Sequence, residues 1–359
     1  MVSWYALDLT LNKAGRMMKF NQLTTNYAAG IDLHKTSITI HILGKNDISL
    51  YQKTIKKNMR RGLKRILLKY KGDITVCVET TYNWYWIADL CLELNIPFDI
   101  THAFYAKKKM IGKNKNDRID AAGLAGMLLH EELPIAYNYP PEMRATRDLL
   151  RLRCSLKKMR TGRLQHHSCV EDQYLMSEIS LEEAGYNKET IKDITRNMGV
   201  DEQCIDFLTS QIKSLEKHIL ARAHVHDEDA LVRLKKIDGI GDILALTLLY
   251  EIHTVKRFGS QQKFSSYCRV VNPQCESAGK RVGTGNRKAG NKYLSWVMQE
   301  IVTYSCRYNK RIGEYFKKLE RKKGRKNARR ILAHKWAIVI YTILKKRVDF
   351  DIDKFLKNA

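Results

Sequence analysis

The chain has 359 residues, enough for about two or three domains with an ample core. Lysine and arginine number 64 against 38 acidic residues, a net charge of +26, and an apolar share of 44% excludes disorder from low hydrophobicity. The longest apolar runs, residues 244–250 and 337–344, fall far short of the roughly 18 residues of a membrane span.

Residues 1–26 carry no clear period and read as an N-terminal extension; Asp8 interrupts the apolar stretch that a signal peptide needs. Residues 28–41 read as two strands around a tight His34-Lys35-Thr36-Ser37 turn, with Ile38, Ile40 and Ile42 alternating, and 48–55 as a third strand. Leu63, Ile66, Leu67 and Tyr70 give 60–70 the spacing of a helix. Strands at 73–79 and 97–101 then alternate with helices at 83–94 and 117–130. The expected fold over 27–135 is therefore a mixed α/β sheet with helices on its faces.

Pro140-Pro141 marks a boundary. Apolar spacing over 142–174 and 201–223, with a break at 185–187, predicts an antiparallel helical hairpin or coiled coil over 136–230, acting as a spacer or oligomerisation element. His166, His167, His224 and His226 have no cysteine or carboxylate at ligand spacing in the sequence. The segment 231–359 is expected to be mainly helical. It opens with Ile237-Asp238-Gly239-Ile240-Gly241 before an apolar helix, a helix–hairpin–helix pattern in which Gly239 and Gly241 let backbone N–H groups approach phosphate. Small and basic residues around Ser277-Ala278-Gly279-Lys280-Arg281 predict a loop. Gly285 and Gly290 have the spacing of a P-loop, but Asn291-Lys292 follows where Lys-Ser/Thr is required. Eight cysteines include no C-x-x-C pair, the closest being Cys268 and Cys275, which argues against a zinc ribbon and gives no disulfide framework. A reduced, cytoplasmic setting is expected.

So large a positive charge repels itself unless a polyanion is near, which makes nucleic acid the leading partner. The basic residues cluster at Lys107-Lys108-Lys109, at Lys280, Arg281, Arg287 and Lys288, and at Arg321-Lys322-Lys323 in a basic tail. Four carboxylates stand apart from this background. Asp32 ends the first predicted strand and Glu79 the fourth, the positions where α/β sheets collect ligands. Asp117 and Asp120 lie three apart, hence on one face of a predicted helix. Four such charges close together need a cation, and a hard ion such as Mg²⁺ suits oxygen ligands. Two such ions about 4 Å apart would stabilise attacking and leaving oxygens on a phosphate.

Asp32, Glu79 and Asp117-Arg118-Ile119-Asp120 resemble the DEDD signature of insertion-sequence transposases with a RuvC-like, RNase H-fold domain, a group that includes bridge-RNA-guided recombinases and has Piv-type DNA invertases as relatives. The likeness runs from about residue 27 to 345; Tyr82 stands where the group commonly has Gly. The stretch from Asn272-Pro273 through Ser277 and Lys288-Ala289-Gly290-Asn291 to Leu294 is similar to the domain that follows in this group, with Ala278 in place of a glycine. The resemblance implies Mg²⁺ bound by Asp32, Glu79, Asp117 and Asp120, Ser277 as covalent nucleophile, DNA as substrate and a structured guide RNA as partner. It also implies a dimer or tetramer in which two protomers complete each site. The rival readings are a metal-dependent junction resolvase or site-specific invertase that activates water, and a non-enzymatic nucleic-acid-binding protein.

Overall fold

The computed structural model of the chain describes residues 19–109, 116–277, 280–284, 286 and 288–357, with the backbone alone at 108, 109, 274–277, 280, 281 and 284. Two compact units meet between Pro141 and Glu142. No described helix is long and apolar enough to cross a membrane.

The first unit is built on strands β1 (Tyr27–Leu33), β2 (Ile38–Leu43), β3 (Ser49–Ile55), β4 (Ile74–Glu79) and β5 (Phe98–Thr101), in the order β3-β2-β1-β4-β5. The hairpins β1–β2 and β2–β3 are antiparallel, whereas β4 pairs parallel with both β1 and β5. This is the mixed sheet that the alternation predicts. Four helices accompany it: α1 (Met59–Leu67), α2 (Tyr85–Leu94), α3 (Ala103–Lys109) and α4 (Asp117–Leu129). Because side chains alternate along a strand, Ile31, Leu33, Val76 and Val78 join the cluster of Leu63, Leu67, Ile87 and Leu90 from α1 and α2. Ala28 and Cys77, of opposite parity, cluster instead with Ala106 of α3 and Leu124 and Leu128 of α4.

From residue 19 onward the expected extension is part of this unit. The Asn21 amide donates to the Leu128 carbonyl at 2.7 Å, its oxygen accepts from Leu133 N–H at 3.0 Å, and Lys19 O accepts from Ile135 N–H. Helix α3 is a second departure, because a short helix carrying the Lys107–Lys109 run has no apolar period to announce it.

The second unit holds α5 (Pro141–Gln173), α6 (Lys188–Arg222), α7 (Glu228–Lys235), α8 (Asp242–Ile252), α9 (Gln261–Tyr267), the ribbon β6 (Gln274–Ser277) and β7 (Lys280–Thr284), then α10 (Lys292–Tyr308), α11 (Lys310–Lys323), α12 (Arg325–Lys346) and α13 (Ile352–Lys357). The segments that the sequence divides at 230 thus form one compact unit. α5 and α6 run antiparallel, since Arg153 pairs with Glu216 near one end and Arg163 with Asp201 further along. α6 starts well before residue 201, because Ile194, flanked by Ile191 and Met198, reaches Val170 and Leu181. The histidines of α5 also find carboxylates across the pair: His166 bonds Asp201, and His167 lies 3.4 Å from Glu202. The loop expected around Ser277 is instead an antiparallel two-stranded ribbon in which Ser277 opposes Lys280. A ribbon of this size needs no apolar face, so the missing alternation concealed it. The remaining helices close around fully buried Trp336, whose indole N–H donates to Ser305 Oγ at 3.2 Å.

Candidate active site

Asp32 and Glu79 each follow the last residues, Ile31 and Val78, that pair between parallel strands β1 and β4. Neighbouring strands lie about 4.8 Å apart, and residues in register share a face. Both acids therefore stand side by side at the carboxyl edge, on the face of Gly30 and Cys77.

Helix α4 covers that face closely. A Cβ on Gly30 would lie 2.2 Å from the Ala121 carbonyl oxygen and 2.4 Å from the Ala125 nitrogen. Only glycine admits this approach. Cys77 Sγ meets the Leu124 carbonyl at 3.5 Å on the same face. With Gly30 against Ala121 and Ala125, and Asp32 in the field of Asp117 and Asp120, α4 runs antiparallel to β1. Its N-terminus, the positive end of the helix dipole, lies at the acidic edge. Asn116 caps it, accepting from the Arg118 and Ile119 N–H groups, so the Asp117 carboxylate is released from that task.

His34 completes the cluster. Its Nε2 lies 3.2 Å from Asp32 Oδ2 and 3.4 Å from Asp117 Oδ1. The Asn83 amide donates to the His34 carbonyl at 3.3 Å, and the His34 N–H donates to Ser37 O at 2.9 Å. Burial raises the Asp32 carboxyl above its ordinary range; the His34 imidazole opposes this, while Asp117 and Asp120 add to it. Asp32, His34 and Asp117 present one ligand atom each within 4.8 Å of one another. A partly buried carboxylate with Asp117 close by and Asp120 within its field is a donor set that fits a hard divalent cation. In the sequence His34 is merely a turn residue and Gly30 merely precedes Ile-Asp; the fold gives both a place in the site.

The other expected residues are dispersed. Lys107 is exposed on α3, and the side chains of Lys108 and Lys109 lie outside the described residues. So do the side chains of Ser277, Lys280 and Arg281, and the whole of Arg287. Lys288 is exposed, and its carbonyl and that of Gly290 accept from the Arg269 guanidinium. Gly239 has a φ of +94°, and its Cβ would lie 2.6 Å from Ser305 N in α10, so packing alone demands a glycine there. Gly241 faces open space at the start of α8. Arg321, Lys322 and Lys323 are exposed on the last turn of α11.

Comparison with known proteins gives this geometry its setting. Residues 29–174 match the DEDD transposase family, and residues 232–317 match the transposase IS116/IS110/IS902 family. The chain is 26% identical over 298 residues to y4qE of Sinorhizobium fredii, which carries a transposase name, covering 79% of this chain and 73% of that protein. It is 23% identical to the transposase for insertion sequence element IS1328 of Yersinia enterocolitica, over 82% of this chain and 86% of the relative. It is 22% identical to the transposase for insertion sequence element IS1111A of Coxiella burnetii, over 67% and 69% respectively. With a DEDD domain whose acids converge and an IS116/IS110/IS902-type domain behind it, the chain is a transposase of the insertion-sequence class, an enzyme that cuts and rejoins DNA through a site that uses a divalent metal.

Proposed function

We propose that this transposase exchanges DNA strands by Mg²⁺-dependent cleavage with Ser277 as nucleophile, directed by a structured guide RNA. The observation that carries the reading is the meeting of Asp32, Asp117 and Asp120 at the edge that also holds Glu79. These four residues would hold Mg²⁺, which when bound supplies charge neutralisation for a DNA phosphate. Asp32 and Glu79 are rigid donors because Asp32 lies in β1 and Glu79 ends β4, both central strands, while Asp117 and Asp120 ride on a helix locked against Gly30. His34 Nε2 sits between the Asp32 and Asp117 carboxylates and ties the strand to the helix. In the covalent step the Ser277 oxygen bonds to phosphorus as its hydroxyl proton departs. The bond to the leaving strand breaks, and that strand's oxygen takes up a proton. The hydroxyl of a second strand later displaces the serine.

The antiparallel pair α5–α6 serves in this reading as a coiled-coil spacer, and the turn at Gly239 and Gly241 as a helix–hairpin–helix. Support for RNA and DNA at the basic clusters comes from the net charge of +26. Two reacting strands also suit a dimer or tetramer, and a cytoplasmic setting suits the free thiols.

Two variants test the chemistry. Asp32→Asn should abolish strand cleavage while fluorescence anisotropy records nearly unchanged DNA binding. Ser277→Ala should remove both recombination and the protein–DNA adduct that survives denaturing gel electrophoresis, since the attacking oxygen is gone. Near-parental cleavage by Ser277→Ala would transfer the reaction to an activated water; near-parental cleavage by Asp32→Asn would dismiss the metal site.

A further inference from the structure

Tyr82 is the most exposed large side chain beside the acidic edge, with 78% of its surface open, three residues after Glu79. Such exposure on a loose loop would mean little, but this loop is pinned. Thr80 N–H donates to Thr101 O at 2.8 Å, and Thr81 Oγ1 donates to Asn83 Oδ1 at 3.0 Å. The Asn83 amide bonds the carbonyl of His34, the residue that touches both Asp32 and Asp117. Trp84 is buried against Tyr85 and Phe98. The chain thus holds an aromatic ring in water, next to the carboxylates, by anchoring the residues on both sides of it.

We infer that Tyr82 stacks on a nucleobase of the DNA strand whose phosphate enters the acidic site. This rests on the reading that the four carboxylates act on DNA. The electrostatics favour such a contact. Elsewhere the basic surface draws phosphates, but Thr80, Thr81, Tyr82 and Asn83 carry no positive charge with which to do so. A base resting on a ring gains affinity without any charge, and every base has such a face. A single pinned ring fixes one nucleotide of the strand, and with it the phosphate beside it. Tyr82 is thus a positioning residue; the acids and Ser277 carry the chemistry.

The test uses the full-length protein and a single-stranded oligonucleotide carrying 5-iododeoxyuridine, which on irradiation links to aromatic rings that stack on it. The expected product is a cross-link in the peptide containing Tyr82, absent in Tyr82→Ala and kept in Tyr82→Phe and Tyr82→Trp. At raised salt, where phosphate contacts are weakened, Tyr82→Ala should bind the same oligonucleotide about tenfold more weakly, and both aromatic variants should bind as the parent does. The side chain is exposed, so Tyr82→Ala should melt with the parent protein. A parent protein that never cross-links through Tyr82, or a Tyr82→Ala protein that binds with parental affinity, overturns the inference. Failure of the site reading is a separate result: Asp32→Asn would still cleave DNA, whatever the cross-link map.

Discussion

Gly30→Ala should disable this protein more thoroughly than its size suggests. The added methyl would sit 2.2 Å from a carbonyl oxygen and 2.4 Å from a nitrogen of α4, with Leu124 Cβ at 2.9 Å. Two of these are backbone atoms, so no rotamer change relieves the overlap, and β1 and α4 must separate. Overpacking in a tight core costs about 1–3 kcal/mol and occasionally more; a clash with main chain belongs at the upper end, about 3 kcal/mol. The same separation carries Asp117 and Asp120 away from Asp32, so cleavage should be lost even where the protein remains folded. Gly126→Ala, in the same helix, is the control. Nothing lies within 4 Å of its added Cβ, and replacing a helical glycine should stabilise by about 0.5–1 kcal/mol. Thermal melts and a cleavage assay on the two variants check this. A Gly30→Ala protein with parental melting and parental cleavage would refute the close packing of β1 on α4.

That contrast marks what the sequence made legible. Alternation along Ile38, Ile40 and Ile42, and the acids in the last two residues of β1 and β4, could be read directly, because strand parity and strand ends are local properties. The pair Asp117 and Asp120 was legible for the same reason, through helical spacing. The contribution of Gly30 was not, since two residues of a distant helix decide it. Nor was His34 legible: a turn residue acquires Asp117 as a second carboxylate neighbour only when α4 folds back along β1. The ribbon β6–β7 escaped because Gln274–Ser277 and Lys280–Thr284 show no alternation of apolar and polar residues in the sequence. In α5 nothing local marks which of the many basic residues turn inward, yet Arg144, Arg147 and Arg153 are buried. The carboxylates that make burial of Arg147 and Arg153 tolerable come from α8 and α6, far along the chain.

Glu251 is where that inward charge matters most. It is 1% exposed on α8. Its Oε2 accepts from Arg147 Nη2 at 2.9 Å and from the Asn291 amide at 2.7 Å, and its Oε1 accepts from Arg151 Nε at 2.6 Å. Burial pushes its carboxyl up, but Arg151, Arg147 and Asn291 together outweigh this and hold it below the ordinary glutamate range. Glu251→Ala removes a carboxylate that both guanidiniums share. Breaking a buried pair from one side costs about 3–5 kcal/mol, because the remaining charges stay desolvated. The damage should spread to α10, since Asn291 caps that helix through the Tyr293 and Leu294 N–H groups while its own amide rests on Glu251. Faster hydrogen exchange at those two amides is therefore expected along with a lower urea midpoint. A carboxyl whose folded pKa is depressed contributes stability that is complete above its unfolded value, near 4.3, and lost as pH falls through the folded one. Glu251→Gln, which cannot titrate, should lie well below the parent at neutral pH and approach it in acid. Parallel stability curves for the parent and Glu251→Gln across that range would show that the arginines do not need the charge.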